Sequence, residues 1–297
     1  MTAIREAFGD LLEAGLRTIF TEVTPDPSYL REKIFTVKST SNPQEKDSSV
    51  GQFSDFDEFD GTVNYDDVYQ GWDKTYSWTE YAKGFKISRS MYDDDRYNII
   101  NKKPDGLKRA AERTKEKHAA SVFNEAFTTE PTDGDGAELC ASDHSSNVSG
   151  VATQSNEGTT GLSATAVEST RQLMVQFKGD VGELLSVRMD ALIVPTQKEE
   201  VAWEIINSSG KLDVTTNNRN FHEGKYKAFV WEFLTDSNNW FAVDTELMKK
   251  FLLWFDRVKP EFMQDKDSDT LIAKYIAYMR YGYGWSGWQW IYGHLVT

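Results

Sequence analysis

The segment "ELCASDHSSNVSG", Glu138–Gly150, places Cys140, Asp143 and His144 within five residues of one another. A thiol beside an imidazole and a carboxylate is the equipment of a cysteine hydrolase, and the same donors suit a metal ion. The spacing argues against both. A nucleophilic cysteine is activated by a histidine brought across the fold, here His222 or His294, rather than by one four residues on in the same turn-rich loop. Cys140 is the only cysteine, the histidines are His118, His144, His222 and His294, and no HExxH or paired-cysteine pattern exists. The glycines of "YGYGWSGW", Tyr281–Trp288, lack the lysine-serine and the following helix of a phosphate loop. These observations predict no catalytic residue, no cofactor and no metal. Asp143 and the serines are expected to serve local backbone turns, with His144 touching a neighbouring segment.

A second chemistry stays open at this point. Acidic residues are numerous, and Trp72, Trp78, Trp285, Trp288 and Trp290 are of a type that stacks on sugars, so a carbohydrate-active enzyme is the alternative from a different class. Such an enzyme needs an export signal. The N-terminal "MTAIREAFGDLLEAGLRTIF" is interrupted by Glu6, Asp10 and Glu13 where a signal would be unbroken and apolar.

The elements that must position these residues belong to a globular chain of 297 residues, 39% hydrophobic and 27% charged. One cysteine makes no internal disulfide, so folding in a cytoplasm is expected. No apolar run is long enough to span a membrane. With 33 basic against 47 acidic residues and a net charge of -14, general adhesion to nucleic acid is disfavoured.

Helical spacing predicts an amphipathic helix from Thr2, its N-cap, to Phe20. From Val50 to Ile87 the chain is rich in aromatic and β-branched residues. Six acids lie between Asp55 and Asp67, with no lysine or arginine among them. This stretch reads as a long two-stranded excursion. Strands of about 18 residues would reach about 60 Å, against a radius of gyration near 19 Å for a compact chain of this size. An unpaired hairpin of that length is unstable alone and prone to associate, so it is expected to rest on a neighbouring subunit. After Pro104 a long helix is predicted over about 105–128, its apolar stripe including His118. Loop is expected over 130–161, then a helix in "SATAVESTRQLMVQF", a buried strand Val187–Val194, and a short helix before Gly210. Strands follow in "YKAFVWEFL" and "NWFAVDT", then helix-like "ELMKKFLLWFD", and two closing strands around a glycine-rich turn.

Five segments in order carry a resemblance: "YAKGFKISRSMYDDDRY", "ASVFNEAF" with "DGAELCASDHSS", "ALIVPTQKEEVAWEIINS", "NWFAVD" and "YMRYGYGWSGWQWIYGH". Together they resemble the major capsid proteins of tailed bacteriophages, the Hong Kong 97-like fold, and more closely the Mu-like major head subunit family. The resemblance covers the chain from about residue 10 to its end. It implies an α+β (mixed α/β) fold with an N-terminal arm over 1–47 and an extended β-hairpin loop over 48–92. A peripheral domain would comprise 93–160 and 262–297, including the spine helix, and an axial domain 161–261. It further implies a non-catalytic subunit that assembles with many copies of itself into hexamers and pentamers around double-stranded DNA. No sequence-specific DNA contact is implied. A portal protein and a possible decoration protein would be partners. Met1 leads almost directly into the arm helix, so the long N-terminal scaffolding segment of some relatives is not expected, and the Mu-like resemblance implies a separate scaffold protein. The location would be the virion, after assembly in the host cytoplasm. An encapsulin-like compartment shell is the alternative within this fold. The candidate inter-subunit contacts are Phe53, Phe56, Phe59, Trp72, Tyr76 and Trp78, with Trp78 expected to matter more for assembly than for stability.

Overall fold

The structure, a computed structural model, describes residues 8–22, 26, 28–51, 53, 56, 58–63, 65, 70–94, 99–129, 131, 133–148, 150–210, 218–267 and 272–297. Helix α1 (Phe8–Glu22) buries Leu16 and Phe20 one turn apart, as the predicted stripe requires. Its expected N-cap, Thr2, lies outside the described residues. Next come α2 (Arg31–Ile34), β1 (Thr36–Ser39), β2 (Glu45–Val50), β3 (Gln70–Tyr76), β4 (Thr79–Ser88), α3 (Arg89–Asp93) and the long helix α4 (Ile99–Asn124). The second half contains β5 (Glu157–Gly158), α5 (Ala164–Met174), β6 (Ala191–Pro195), α6 (Glu199–Asn207), β7 (Lys227–Trp231) and β8 (Trp240–Val243). It closes with α7 (Thr245–Phe251), β9 (Leu252–Asp267), β10 (Ile272–Trp285) and β11 (Ile291–His294).

Three sheets result. Among the described residues a four-stranded sheet runs β1-β9-β10-β4, a five-stranded sheet β5-β11-β8-β6-β7, and β2 pairs with β3. The architecture is the mixed α+β one expected. In β10 the residues Ala273, Tyr275, Ala277, Met279 and Tyr281 are buried in strict alternation, which marks a sheet with one covered face. Helix α4 lies on that face. The largest core runs without interruption from Ala119 and Phe123 of α4 through Met279 and Tyr281 to Val194 and Phe241 of the five-stranded sheet.

Four expectations are corrected. The excursion is not a pair of 18-residue strands: β2 and β3 have six and seven residues, and β4 leaves the hairpin to pair with β10 over Thr79–Ser88. The alternation around Tyr76–Glu80 is continuous because the chain passes from one sheet to the next without a turn signal. Helix α4 starts before Pro104; a proline this near the N-terminus forfeits little more than one hydrogen bond, to the carbonyl of Ile100. The helix predicted through "FLLWFD" stops at Phe251, and Leu252–Asp256 are buried strand. A continuous apolar run has no period to separate strand from helix. Pro260 falls where the β9–β10 register slips, between the pairs Glu261↔Tyr278 and Val258↔Arg280, so its missing N–H costs no ladder bond. Finally, the strand expected over Val187–Val194 is Ala191–Pro195.

The last strand, placed with the peripheral segments by the resemblance, pairs with β8 and β5 of the five-stranded sheet. His294 fixes it there. Its ring stacks on Trp240 at 4.1 Å, accepts from the Thr160 backbone N–H at Nδ1 (3.3 Å) and lies 2.8 Å from Thr170 Oγ1 through Nε2. Thr170 in turn donates to the Ala166 carbonyl, so Nε2 carries the proton and the ring is neutral. Burial pushes its pKa down to about 4. A depressed histidine stabilises the fold fully above its unfolded value near 6.5, and that contribution is lost as pH falls through the folded value. The expected loss is about 3 kcal/mol between pH 7 and pH 4. Urea midpoints of wild type and His294→Gln should therefore converge over this range. Parallel curves would exclude the effect.

Candidate assembly surface

Cys140 is buried, its backbone N–H donates to the Ala126 carbonyl at 2.8 Å, and burial raises the thiol pKa well above its usual value. A Cβ placed at Gly293 would come within 2.6 Å of its sulfur. No substrate reaches this thiol, and the protonated form is the stable one. Native protein should leave a thiol reagent unconsumed and react with one equivalent after denaturation; rapid native labelling would refute the placement. Among the described residues no group of three histidine, cysteine or acidic side chains is arranged to hold a metal.

His144 does contact other segments. Nδ1 lies 2.6 Å from Asp135 Oδ2, Nε2 3.1 Å from Asn156 Oδ1, and the ring stacks on Trp288 at 4.3 Å. Asn156 is fully buried and uses its whole amide: Oδ1 accepts from Ala141 N–H, while Nδ2 donates to the carbonyls of Leu139 and Ile291. Asp143, by contrast, is exposed. The "reactive" loop is thus pinned onto the core by satisfied polar groups.

What this pinned loop holds is the hairpin. The Asp133 carboxylate accepts from Lys74 Nζ at 2.6 Å and from the Thr75 backbone N–H at 2.8 Å. The Gly134 N–H donates to the Asp73 carbonyl at 3.1 Å, and the Asn147 amide donates to the Gln70 carbonyl. The loop therefore supports β3 along its length from Gln70 to Thr75. Within the hairpin Lys46 pairs with Asp73 at 2.7 Å. The result is a two-stranded arm fixed at its root and along one edge.

The arm's end is apolar and open to solvent. Phe53, Phe56 and Phe59 are 63%, 106% and 70% exposed, and Val63 and Tyr65 join them. Gly61 turns the chain there with a φ of 108°. Trp72 is partly exposed, at 37%. Tyr76 and Trp78 differ: at 2% and 9% exposed they pack with Leu253 and Phe255 in a small core of their own chain, where the Trp78 indole donates to the Asn42 carbonyl at 2.9 Å. Their side chains serve the hairpin's root, while in the hairpin Phe53, Phe56 and Phe59 expose their rings to solvent. Sequence reasoning missed the brace residues Asp133 and Asn147, and also Leu184, Trp203 and Phe221, which are exposed elsewhere. For Trp203 a signal existed: Ala202, Ile205 and Ile206 form the buried side of α6 and leave it on the other face.

A family model described as "Phage capsid protein" matches residues 73–293. No curated protein matches the chain in sequence. Solved structures do match in fold. The procapsid of bacteriophage JBD30 is 15% identical with a TM-score of 0.55, covering 98% of this chain and 76% of that one. The capsid of an empty GTA particle is 15% identical with a TM-score of 0.55, covering 91% and 90%. The capsid of bacteriophage JBD30 decorated with minor capsid protein trimers is 14% identical with a TM-score of 0.57, covering 72% and 93%.

Proposed function

The chain belongs to the phage capsid protein family, and on that premise we propose that its hairpin joins many copies into the head of a tailed phage. Its role is that of a major capsid protein, structural and not enzymatic. The observation that carries the reading is the family match over residues 73–293, which takes in the end of β3, helix α4, the five-stranded sheet up to Gly293 and, apart from β1, the four-stranded sheet. The braced arm is its physical counterpart. Three phenylalanines on a two-stranded projection gain from burial only when another surface covers them.

In this reading the shell follows the Hong Kong 97-like plan in its Mu-like branch, with an arm over 1–47, extended loop 48–92, peripheral segments 93–160 and 262–297, and axial segment 161–261. Hexamers and pentamers enclose double-stranded DNA, in the virion, after assembly in the host cytoplasm. The acidic balance of the chain favours release of DNA over adhesion to the wall. A portal and a separate scaffold complete the assembly. A decoration protein is a further partner, and the decorated JBD30 capsid supports it by analogy of fold. Sedimentation velocity of purified protein, with and without the scaffold, tests this: discrete species of five or six subunits, or larger, are expected. A monomer at every concentration would contradict it.

A further inference from the structure

We propose that Asp60–Gly61, in the hairpin, is a site of spontaneous covalent rearrangement to isoaspartate, and that this reaction limits how long an unassembled subunit stays competent to assemble. The link to assembly rests on the reading above; the chemistry at Asp60 stands without it. The reaction needs an aspartate followed by a residue whose amide nitrogen can reach the side-chain carbonyl carbon. Glycine is the most permissive follower, with no Cβ in the way and a wide choice of backbone angles. The glycine nitrogen bonds to the aspartate Cγ, one water is expelled, and a five-membered succinimide closes. Water then adds back at either ring carbonyl. One addition restores aspartate, and the other leaves the main chain running through the former side chain. Only water is exchanged, so the rearrangement consumes no oxidant, reductant or cofactor.

The sequence holds four Asp–Gly pairs, at 60–61, 105–106, 133–134 and 135–136. Three are locked. Asp105 and Gly106 lie inside α4, where the Gly106 amide belongs to the helical ladder and the carboxylate pairs with Arg109 Nε at 3.1 Å. The Asp133 carboxylate is held by Lys74 and the Thr75 N–H, and the Gly134 N–H that would have to attack donates to the Asp73 carbonyl. The Asp135 carboxylate is buried against His144 Nδ1 at 2.6 Å and accepts from the Ala137 N–H at 3.3 Å. Asp60 differs. Both it and Gly61 are exposed, and its Oδ1 accepts from the Thr62 backbone N–H at 3.1 Å. A bond of this Asx type draws the carboxylate back along the chain, across the glycine whose nitrogen must attack.

The consequence falls next to an exposed ring. Isoaspartate at position 60 adds one carbon to the main chain directly after Phe59 and takes one from the side chain. Phe59 is 70% exposed and gains from burial only under another surface. Close-packed contacts register a change of even one methylene, so a rearranged subunit presents this ring and the neighbouring carboxylate out of place.

The test incubates purified, unassembled protein in warm neutral buffer and locates isoaspartate by peptide mass spectrometry, with the urea-denatured chain as reference. In the native protein Asp60 should convert at least about tenfold faster than Asp105, Asp133 or Asp135, whose reaction must wait for local opening, and in urea the four rates should draw together. Particle yield should fall in step with isoaspartate at position 60. An isoaspartyl methyltransferase with S-adenosylmethionine, which returns isoaspartate to aspartate, should restore it. Asp60→Glu, which keeps the charge but would have to close a six-membered ring, should hold its initial yield through the incubation. No isoaspartate at position 60 in a native chain that converts in urea overturns the proposal, and so does equal native conversion at all four sites. Incubated wild type that carries the change yet assembles like fresh protein, or Asp60→Glu that loses yield as fast as wild type, overturns the link to assembly. If fresh wild type forms no particle under any condition, the assembly reading fails and takes that link with it, while the mass measurement still decides the site.

Discussion

Subunits carrying Phe53→Ser, Phe56→Ser and Phe59→Ser together are expected to fold as wild type does and to form no shells where wild type assembles fully. The three rings are exposed and make no contribution to the subunit's own core. Burying each against a neighbour is worth about 2–3 kcal/mol. Losing all three from every subunit should weaken each contact by a factor of at least about 1,000. Electron microscopy and sedimentation would report the loss, with circular dichroism confirming the fold. Normal shells from the triple variant would mean that the tip is not an assembly contact. A loss of folded subunit equal to the loss of shells would place these rings in a core, against their exposure.

Trp78→Ala is expected to act in the opposite way, lowering subunit stability by about 3–5 kcal/mol, the usual cost of emptying a large buried aromatic site. The indole packs on Phe255 at 5.5 Å and donates to the Asn42 carbonyl at 2.9 Å. It also fills the space left by a missing side chain: a Cβ at Gly282 would lie 2.7 Å from its ring. For a chain of this length the thermal midpoint should fall by about 6–12 °C. Assembly would fail as a consequence, because the hairpin's root loosens. This reverses the sequence-based expectation that Trp78 serves assembly first. An unchanged midpoint with lost assembly would restore that expectation.

Aromatic residues in the excursion were legible as important, but not in which sense. A strand alternates its faces, and pattern alone does not say which face meets the chain's own core. Tyr76 and Trp78 turn inward because β9 supplies Leu253 and Phe255 beneath them, and β9 was itself hidden in a run read as helix. Phe53, Phe56 and Phe59 were easier, since acids flank them and raise the cost of burying that stretch within the chain.

The same contrast holds for the fold. Helices α1, α4 and α6 carry a 3.6-residue stripe and are readable as helices, although α4 begins six residues before the expected 105. The closing strands were readable from their aromatics and glycines. The brace was not readable at all. Asp133 meets Lys74 across 59 residues and Asn147 meets Gln70 across 77, and no local period marks a polar contact of that range. The loop with Cys140 and His144 was recognisable as a loop from its composition. Its task, holding Asp133, Gly134 and Asn147 against the arm, becomes visible only when Asn156 and Trp288 are seen to pin it.

The central claim is that this chain builds a shell by placing one copy's arm on the next. Electron micrographs of the purified protein, alone and with the proposed scaffold protein, test it most directly. Closed or partial shells of uniform curvature, or rings of five and six subunits, are the predicted result. Compact single subunits in every preparation would contradict it.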